Sequence, residues 1–469
     1  MTKRAKVIAK KIMEEHCLGI GIDKQRVKEL FDLATHIDES VAKSGIDATF
    51  KDIIEPLNDS FDAADRDVYY EIFSYVIQLI RELPEAVHID KTLEAFGLFT
   101  QQDLLDRVRV LILPDKVGPA HRDNVKKVFV LSRITIGADV AVTSIIIERS
   151  KKLFPNARIC FLANSKNYEL FGGEENIKII PMDYQRRGGL ISRLESWLHA
   201  LESINSETKD MEPGEYAIID SNSRVTQLGL LPLVKKDTGY YLFEPLAHAD
   251  EEMRKLGEDV NEWLNKVFEG TIEDFTYPAL SVPARYNEAA KGFYQKLFNN
   301  KEFAVTVNFG VGGNDDKRIS DEFEFEVVLH LIAQGAKVIL DEGFGEDEIE
   351  RTERLIDRLK ARGKTIMRVN EDLAFIEELK PDLITYKGGI GQFAALISQS
   401  QFYVGYDSMG QHVAAALEIP ELVVFNGYPT EKFSWKWHPY GKGKIKIIHA
   451  EGKAEEGVLE STKKILSVL

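Results

Sequence analysis

The amino-acid sequence predicts an α/β protein with two Rossmann-like domains of parallel strands and helices, preceded by an all-helical extension. Three observations lead to this fold class. Apolar residues recur at helical spacing up to about residue 120, short β-branched runs then alternate with helical stretches, and the alternation restarts after a proline-containing connector at residues 271–286. The predicted divisions are a helical extension over 1–120, a first Rossmann-like domain over 121–275 and a second over 276–469.

Composition and charge limit the classes of function. The chain has 469 residues, 44% of them hydrophobic and 29% charged, which is typical of a soluble globular protein with two or three domains. Its formal net charge of −16 would repel nucleic acid and anionic membrane surfaces, so a phosphate-bearing ligand must be bound locally. Cys17 and Cys160 have no metal-ligand spacing, so we expect no disulfide framework, no metal site and a reducing, cytoplasmic location.

The helical extension is predicted by two series of apolar residues spaced as on one face of a helix. One series runs from Val27 to Val41 and the other from Val68 to Ile80. Pro114 and the turn-rich residues after it predict the boundary with the next domain. We expect no transmembrane segment, because no apolar stretch is long enough. The sequence leaves open whether these helices pack on the first Rossmann-like domain or form a homo-oligomer with a second subunit.

Both α/β regions are predicted from strand and helix segments in alternation. In the first region the predicted strands are KKVFVLS, ARICFLA, NIKIIP, YAIID and GYYLF, with a helix over 139–154 after the first of them. In the second region they are EFAVTVNFG, AKVILD, KTIMRV, SQFYVGYD and ELVVFNG. Such apolar strands separated by helices indicate parallel sheets covered on both faces. Ligands of these sheets bind outside the carboxyl ends of the strands, so we expect functional residues in the loops there.

The loop after the first strand, residues 132–144, offers a candidate general base. Gly137 is small enough for a substrate to approach the backbone, and Asp139 would stand at the start of the following helix. From the residues alone, Asp139 is either the N-cap of that helix or a general base, with Arg133 and Thr135 lining the same loop.

A glycine-rich loop at residues 308–320 follows the first strand of the second region. It ends in two cations, Lys317 and Arg318, just before a helix predicted to begin near Asp321. Backbone N–H groups and cations in such a loop suit a diphosphate. The loop lacks the ending of a Walker A motif, and the alternative is an exposed loop with two solvated cations.

The turn after strand SQFYVGYD carries a carboxylate, a hydroxyl and an imidazole. Asp407, Ser408 and Gly410 occupy the turn, and His412 begins the predicted helix QHVAAALE. Side chains and unpaired N–H groups at a helix N-terminus suit sugar hydroxyls and phosphate. Taken singly, Asp407 and Ser408 can also be explained as caps, and a lone histidine such as His412 is more often a surface residue.

Together these loops resemble a known family. The stretch DSMGQHVAAALEIPELVVF is similar to the D-[ST]-G-x-x-H turn, alanine-rich helix and strand of heptosyltransferase-like glycosyltransferase family 9. LSRITIGADVAVTS resembles the family's R-x-x-x-G-D loop, and the two cations after the glycine-rich loop resemble its K-R helix start. The likeness covers about residues 126–450. The positions that match these motifs are Arg133, Gly137, Asp139, Lys317, Arg318, Asp407, Ser408 and His412.

The resemblance implies a GT-B fold and a function in bacterial lipopolysaccharide biosynthesis. The expected enzyme is an inverting, metal-independent glycosyltransferase that needs no cofactor. Its donor would be a nucleoside-diphosphate sugar, heptose-like and with ADP as a candidate nucleotide, and its acceptor a saccharide or lipid-linked saccharide. A cytoplasmic enzyme of this kind could associate peripherally with the inner membrane.

The resemblance also implies roles for individual residues. Asp139 would be the general base that deprotonates the acceptor hydroxyl, and Arg133, Thr135 and Gly137 would lie on the acceptor side. The residues implied in donor binding are Lys317 and Arg318 for the diphosphate, Asp407 for the sugar hydroxyls, and Ser408, Gly410 and His412 for the phosphates.

Two other interpretations stay open. Met409 stands where the family usually has glycine, and Ala138 separates Gly137 from Asp139. These departures are compatible with a catalytically altered paralogue that binds nucleotide sugars or serves as a scaffold. A nicotinamide-dependent oxidoreductase or a sugar-nucleotide epimerase is the third interpretation, but no G-x-G-x-x-G follows the first strand.

Overall fold

The N-terminal region is helical, as predicted. The computed structural model describes residues 2–112, 122–186, 188–235, 239–245, 253–298, 302–375 and 380–468, so the predicted boundary at Pro114 lies outside the described residues. The N-terminal helices are Thr2–Cys17, Lys24–Ala34, Glu39–Thr49, Glu55–Asp59, Ala63–Arg81, Val87–Ala95 and Gln101–Ile112, with a π-helical turn at Phe50–Ile54 and a 3-10 turn at Pro84–Ala86.

Aspartate caps and a shared apolar core explain why these helices form where they do. The side chains of Asp23, Asp38 and Asp62 each accept a hydrogen bond from a backbone N–H group in the first turn of the helix that follows. The apolar faces of the helices then join one hydrophobic cluster with residues of the first sheet, such as Leu131 and Tyr240. The helical extension therefore packs on the first sheet, which is one of the two arrangements that the sequence left open.

Close packing in this region depends on Gly45. A methyl group at Gly45 would lie 2.4 Å from the backbone nitrogen of Ala34 in the neighbouring helix, whereas one at Gly292, in helix Ala284–Leu297, would meet no described atom within 4 Å. We expect Gly45→Ala to lower the free energy of unfolding by about 1–3 kcal/mol because the helices must move apart. The matched control Gly292→Ala should raise it by about 0.5–1 kcal/mol. Urea unfolding followed by circular dichroism measures both, and equal stability of the two variants would contradict the predicted packing.

The first sheet is parallel and has the strand order β3-β2-β1-β4-β5. Its strands are β1 Lys127–Leu131, β2 Arg158–Ala163, β3 Ile177–Pro181, β4 Tyr216–Asp220 and β5 Tyr240–Leu242. All five correspond to strands predicted from the sequence. The helical segments of this region are Ile136–Ala138, the π-helical turn Asp139–Thr143, Ser144–Leu153, Tyr168–Phe171, Leu190–Thr208 and Leu256–Phe268, with 3-10 turns at Ser165–Asn167 and Ile272–Asp274.

The second sheet is also parallel, with the order β12-β11-β10-β6-β7-β9-β8. Its strands are β6 Ala304–Asn308, β7 Lys337–Asp341, β8 Ile366–Asn370, β9 Leu383–Lys387, β10 Phe402–Tyr406, β11 Glu421–Phe425 and β12 Ile445–His449. Two of these, β9 and β12, were not predicted. The helices are Ala284–Leu297, Asp321–Ala333, Glu346–Ala361, Ile390–Gln399, Met409–Ala416, Glu431–Lys436 and Glu455–Leu466, with a 3-10 turn at Asp315–Lys317.

The chain divides into two compact units that do not follow simple sequence ranges. One comprises residues 1–135, 146–165 and 176–276, and the other comprises 136–145, 166–175 and 277–469. The segment after β1 that carries Asp139 thus belongs to the same unit as the second sheet. None of the helices in the described ranges combines the length and the apolar composition that a membrane span requires.

Candidate functional site

The predicted donor-binding residues lie in the loops after two neighbouring strands of the second sheet. Strand β6 ends at Asn308 and strand β10 at Tyr406, and the two strands pair in parallel. The loop after β6 leads to the 3-10 turn that ends at Lys317, and Asp407 directly follows β10. Because the carboxyl ends of parallel strands share one edge, the two loops come together there.

Lys317 and Asp407 form an ion pair at this edge. The Lys317 Nζ atom lies 2.6 Å from Asp407 Oδ2 and 3.3 Å from the Asp407 carbonyl oxygen. On the other side, Gln411 Nε2 donates to Asp407 Oδ1 at 2.7 Å. The side chain of Lys317 is 20% exposed and that of Asp407 is 7% exposed. Both oxygens of a nearly buried carboxylate are therefore held by donors, and the lysine reaches solvent more than the aspartate does.

His412 is buried and uncharged at neutral pH. Burial lowers the pKa of His412 to about 4; the Asp407 carboxylate opposes this effect and the Lys317 ammonium adds to it. Its Nε2 atom lies 3.4 Å from Gln411 Nε2, and the ring packs at a centroid distance of 6.0 Å from Trp437. His412 can thus offer a neutral hydrogen bond to a ligand but no positive charge. Helix Met409–Ala416 begins three residues before His412, so the prediction that His412 starts the helix was wrong.

Ser408 is the N-cap residue of helix Met409–Ala416, but its side chain does not cap it. The hydroxyl groups of Ser408 and Tyr403 are buried next to each other and interact, and neither donates to a further described residue. A Cβ atom at Gly410 would lie 2.1 Å from the Tyr403 hydroxyl oxygen, so only glycine fits there. The N-terminal turn of this helix therefore combines close backbone packing with two adjacent buried hydroxyl groups.

Arg318 is directed away from this cluster. Its guanidinium donates to Glu324 Oε1 at 2.8 Å and to Asp321 Oδ1 at 2.7 Å. Asn426 Nδ2 donates to its carbonyl oxygen at 2.7 Å. These contacts fix the start of helix Asp321–Ala333, which begins where the sequence predicted. Arg318 therefore stabilises the first turn of this helix. A role of Arg318 in donor binding stays a prediction.

The three acceptor-side residues occupy different surroundings. Arg133 Nη1 donates to the Ser221 carbonyl oxygen at 2.7 Å. Thr135 is exposed. A methyl group at Gly137 would lie 3.2 Å from the Cα atom of Met409, so the chain at Gly137 closely approaches the start of helix Met409–Ala416. Arg133 is thus held by backbone, while Gly137 lies next to the donor-side helix.

Asp139 is fully buried in a π-helical turn. It lies within a continuous helical segment that begins at Ile136, so the alternative that Asp139 caps the helix was wrong. Thr143 Oγ1 donates to Asp139 Oδ1 at 2.9 Å, and the Ser144 N–H group reaches back five residues to the Asp139 carbonyl oxygen. Residues 136–143 pack against helix Met409–Ala416. The candidate base and the donor-side residues therefore belong to one packed region.

Sequence reasoning missed Gln411, which orients Asp407, and a second carboxylate at the end of β7. Asp341 accepts a hydrogen bond from Asn308 Nδ2 at 2.7 Å. The pKa of Asp341 is raised to about 7. Burial is the main cause and the Glu348 and Glu342 carboxylates contribute, while hydrogen bonds from Gly343 N–H and Asn308 oppose the rise. The one available signal was the position of Asp341, which is the last residue of a predicted strand.

The raised pKa of Asp341 makes stability depend on pH. The folded state keeps the proton up to about pH 7, whereas the unfolded state loses it near pH 4, so Asp341 costs increasing free energy as pH rises between these values. Asp341→Asn should therefore raise the free energy of unfolding by about 1–2 kcal/mol at pH 8, with the gain shrinking towards pH 4. Thermal unfolding at pH 4.5, 6 and 8 measures this gain. The exposed Asp357→Asn is the control, and a gain from Asp341→Asn that did not change with pH would contradict the prediction.

No group of three or more His, Cys, Asp or Glu side chains within the described ranges is arranged to hold a metal ion. Cys17 and Cys160 are both free thiols.

Comparisons with known proteins identify the family that this chain resembles. Residues 315–466 match the model of glycosyltransferase family 9 (heptosyltransferase). No curated protein sequence matches the chain.

Two solved structures share the fold over most of their length. A glycosyltransferase family 9 protein from Veillonella parvula DSM 2008 is 16% identical with a TM-score of 0.52, over 74% of this chain and 94% of that one. The E. coli heptosyltransferase WaaC, solved with ADP-2-deoxy-2-fluoro heptose, is 17% identical with a TM-score of 0.51, over 73% of this chain and 99% of that one. The fold is thus of the GT-B type with an added N-terminal helical region, and the resemblance to glycosyltransferase family 9 predicted from the sequence is confirmed.

Proposed function

We propose that this protein is an inverting glycosyltransferase that moves a heptose-like sugar from a nucleoside-diphosphate sugar to a saccharide or lipid-linked saccharide. The observation that carries the proposal is the cluster of Lys317, Asp407, Gln411 and His412 beside the N-terminus of helix Met409–Ala416. Cations and helix N-termini neutralise a leaving diphosphate, and a carboxylate accepts hydrogen bonds from sugar hydroxyls. The match to family 9 covers this cluster.

Each residue has a role in the proposed reaction. Lys317 meets the negative charge that develops on the leaving diphosphate, and Asp407 orients the donor sugar through its hydroxyl groups. His412 and the Ser408 hydroxyl contribute neutral hydrogen bonds to the phosphates. Asp139 takes the proton of the acceptor hydroxyl as that oxygen attacks the anomeric carbon.

A metal ion and a cofactor are not required by this proposal, because Lys317 and the helix N-terminus provide positive charge at the leaving group. ADP is the proposed nucleotide, since WaaC was solved with an ADP-linked sugar. We place the reaction in the cytoplasm, where nucleotide sugars of this class are expected and where two free thiols would stay reduced.

One observation favours a second candidate function. Asp139 is completely buried and its side chain is bound by Thr143. A carboxylate in that position can serve as a structural residue of the π-helical turn. The alternative is therefore a catalytically altered paralogue that binds a nucleotide sugar without transferring it.

Calorimetric titration combined with a transfer assay tests the proposal. We expect the full chain to bind ADP more tightly than UDP or NAD, and to release ADP from an ADP-heptose donor only when a saccharide acceptor is present. ADP binding without turnover on any acceptor would favour the altered paralogue. Tight NAD binding with no response to ADP would overturn both functions.

A further inference from the structure

The side chain of Gln411 lies between two residues of the donor-side cluster, Asp407 and His412. Gln411 is fully buried in helix Met409–Ala416, and its Nε2 atom lies 2.7 Å from Asp407 Oδ1 and 3.4 Å from His412 Nε2. The Gln411 Oε1 atom is buried and accepts no hydrogen bond from a described residue. A buried amide oxygen without a donor costs free energy, so the benefit of a glutamine here must come from the contacts of its Nε2 atom.

The charge of Asp407 fixes the orientation of the Gln411 amide. Lys317 Nζ lies 2.6 Å from Asp407 Oδ2, and an ionised carboxylate in such a pair can only accept hydrogen bonds. Reversing the amide would put its oxygen in the place of Nε2, 2.7 Å from Asp407 Oδ1, and two acceptors would then face each other without a proton between them. The NH2 group of Gln411 is therefore the part that faces both Asp407 and His412.

The same amide group fixes the tautomer of His412. An amide NH2 group has two hydrogens to donate and cannot accept, so a hydrogen bond between the two Nε2 atoms can only run from Gln411 to His412. His412 Nε2 must then carry the lone pair. Because burial lowers the pKa of His412 to about 4, the ring is neutral at pH 7 and its single N–H group is at Nδ1.

The Nδ1 atom is the part of the His412 ring that is left for a ligand. No described residue forms a hydrogen bond with Nδ1, and this atom keeps solvent-accessible surface although His412 as a whole is only 5% exposed. A proton on Nδ1 makes the atom a donor, which attracts a phosphate oxygen. A lone pair on Nδ1 would repel the same oxygen. The tautomer therefore decides whether His412 favours or opposes the binding of a phosphate.

We propose that Gln411 is a positioning residue that holds His412 in the Nδ1–H tautomer, so that His412 donates a hydrogen bond from Nδ1 to a phosphate oxygen of the donor. Gln411 acts through its two neighbours. One of its N–H groups orients the Asp407 carboxylate, and the other selects the protonated nitrogen of His412. The identity of the ligand as a diphosphate rests on the proposed function, whereas the tautomer does not.

NMR of the full chain with ¹⁵N-labelled histidine tests the tautomer without any ligand. The signals of His412 are assigned by their loss in His412→Asn. At pH 7 we expect the chemical shifts of an unprotonated Nε2 and a protonated Nδ1. In Gln411→Leu the ring should shift towards Nε2–H, which is the tautomer that neutral histidine prefers in water. An Nε2–H ring or a doubly protonated ring in the wild type, or an unchanged tautomer in Gln411→Leu, would overturn the proposal.

Gln392→Leu is the matched control for loss of a buried amide. Gln392 is 2% exposed, lies in helix Ile390–Gln399 of the same compact unit, and donates through Nε2 to the Tyr286 carbonyl oxygen at 3.1 Å. Its substitution should leave the His412 signals and the affinity for ADP unchanged. A change of tautomer in Gln392→Leu as large as that in Gln411→Leu would show a general effect of destabilisation and count against the role of Gln411.

Calorimetric titration with ADP tests the role of Nδ1. The side-chain amide of asparagine reaches the position of Nδ1 and that of glutamine the position of Nε2. We therefore expect His412→Asn to keep most of the ADP affinity and His412→Gln to lose about ten- to a hundredfold. Gln411→Leu should weaken ADP binding by a similar factor in the wild type, but by less in His412→Asn, where no tautomer has to be selected.

The outcomes separate this proposal from the proposed function. A smaller loss of ADP affinity in His412→Gln than in His412→Asn would overturn the assignment of Nδ1 as the donor. An equal loss from Gln411→Leu in the wild type and in His412→Asn would overturn the coupling between Gln411 and His412. An Nδ1–H ring that depends on Gln411, in a wild type that does not bind ADP, would support the role of Gln411 and count against the proposed function.

Discussion

Asp139→Asn is expected to reduce sugar transfer by about 10²- to 10⁴-fold while leaving the affinity for ADP nearly unchanged. An amide can keep the hydrogen bond from Thr143 Oγ1, so the π-helical turn should persist, but it cannot take a proton from the acceptor. Initial rates of transfer and the dissociation constant for ADP, measured on the same preparation, separate the chemical step from donor binding.

Asp259→Asn provides the matched control for loss of a buried carboxylate. Asp259 is 1% exposed and lies in helix Leu256–Phe268, in the unit that lacks Asp139. Asp259→Asn should lower the free energy of unfolding, but it should not selectively reduce the rate of sugar transfer. If Asp139→Asn kept the wild-type rate, Asp139 would be a structural residue, and the base would have to be sought elsewhere.

The periodicity of apolar residues predicted the helices and most strands, but not two strands of the second sheet. Strand β9, Leu383–Lys387, lies between a short polar stretch and a helix whose apolar pattern dominates that part of the sequence. Strand β12, Ile445–His449, lies at the edge of the sheet, and its exposed Lys446 stands between two half-buried isoleucines.

The site was predictable in position but not in its contacts. Loops after neighbouring parallel strands must meet, so Lys317 and Asp407 could be placed at one edge from the motifs alone. The ion pair between Lys317 and Asp407 and the hydrogen bond from Gln411 to Asp407 depend on side-chain geometry. The spacing of these residues along the sequence does not determine that geometry.

The π-helical turn at Asp139 directly follows Ala138, the residue that separates Gly137 from Asp139. A π-helical turn accommodates one additional residue within a helix, and such turns are frequent at functional sites.

Lys317→Ala should produce the second large effect, a loss of ADP affinity of about ten- to a hundredfold. The substitution removes the cation proposed for the diphosphate. It also leaves the nearly buried Asp407 carboxylate with Gln411 as its remaining side-chain donor among the described residues, so an unbalanced negative charge would face the phosphates. We therefore also expect the free energy of unfolding to fall by about 1–3 kcal/mol. Calorimetric titration with ADP and thermal unfolding measure the two effects.

Lys43→Ala is the control for burial. Lys43 and Asp47 form an ion pair on the surface of the N-terminal helices, with the same 2.6 Å N–O distance as the pair of Lys317 and Asp407. The Lys43 side chain is 76% exposed, against 20% for Lys317. Exposed pairs contribute little, so Lys43→Ala should change neither ADP affinity nor stability measurably. The double variant Lys317→Ala with Asp407→Asn removes both charges and should recover stability but not ADP affinity. Recovery of ADP affinity in the double variant would show that Lys317 acts only by neutralising Asp407, and not by contacting the diphosphate.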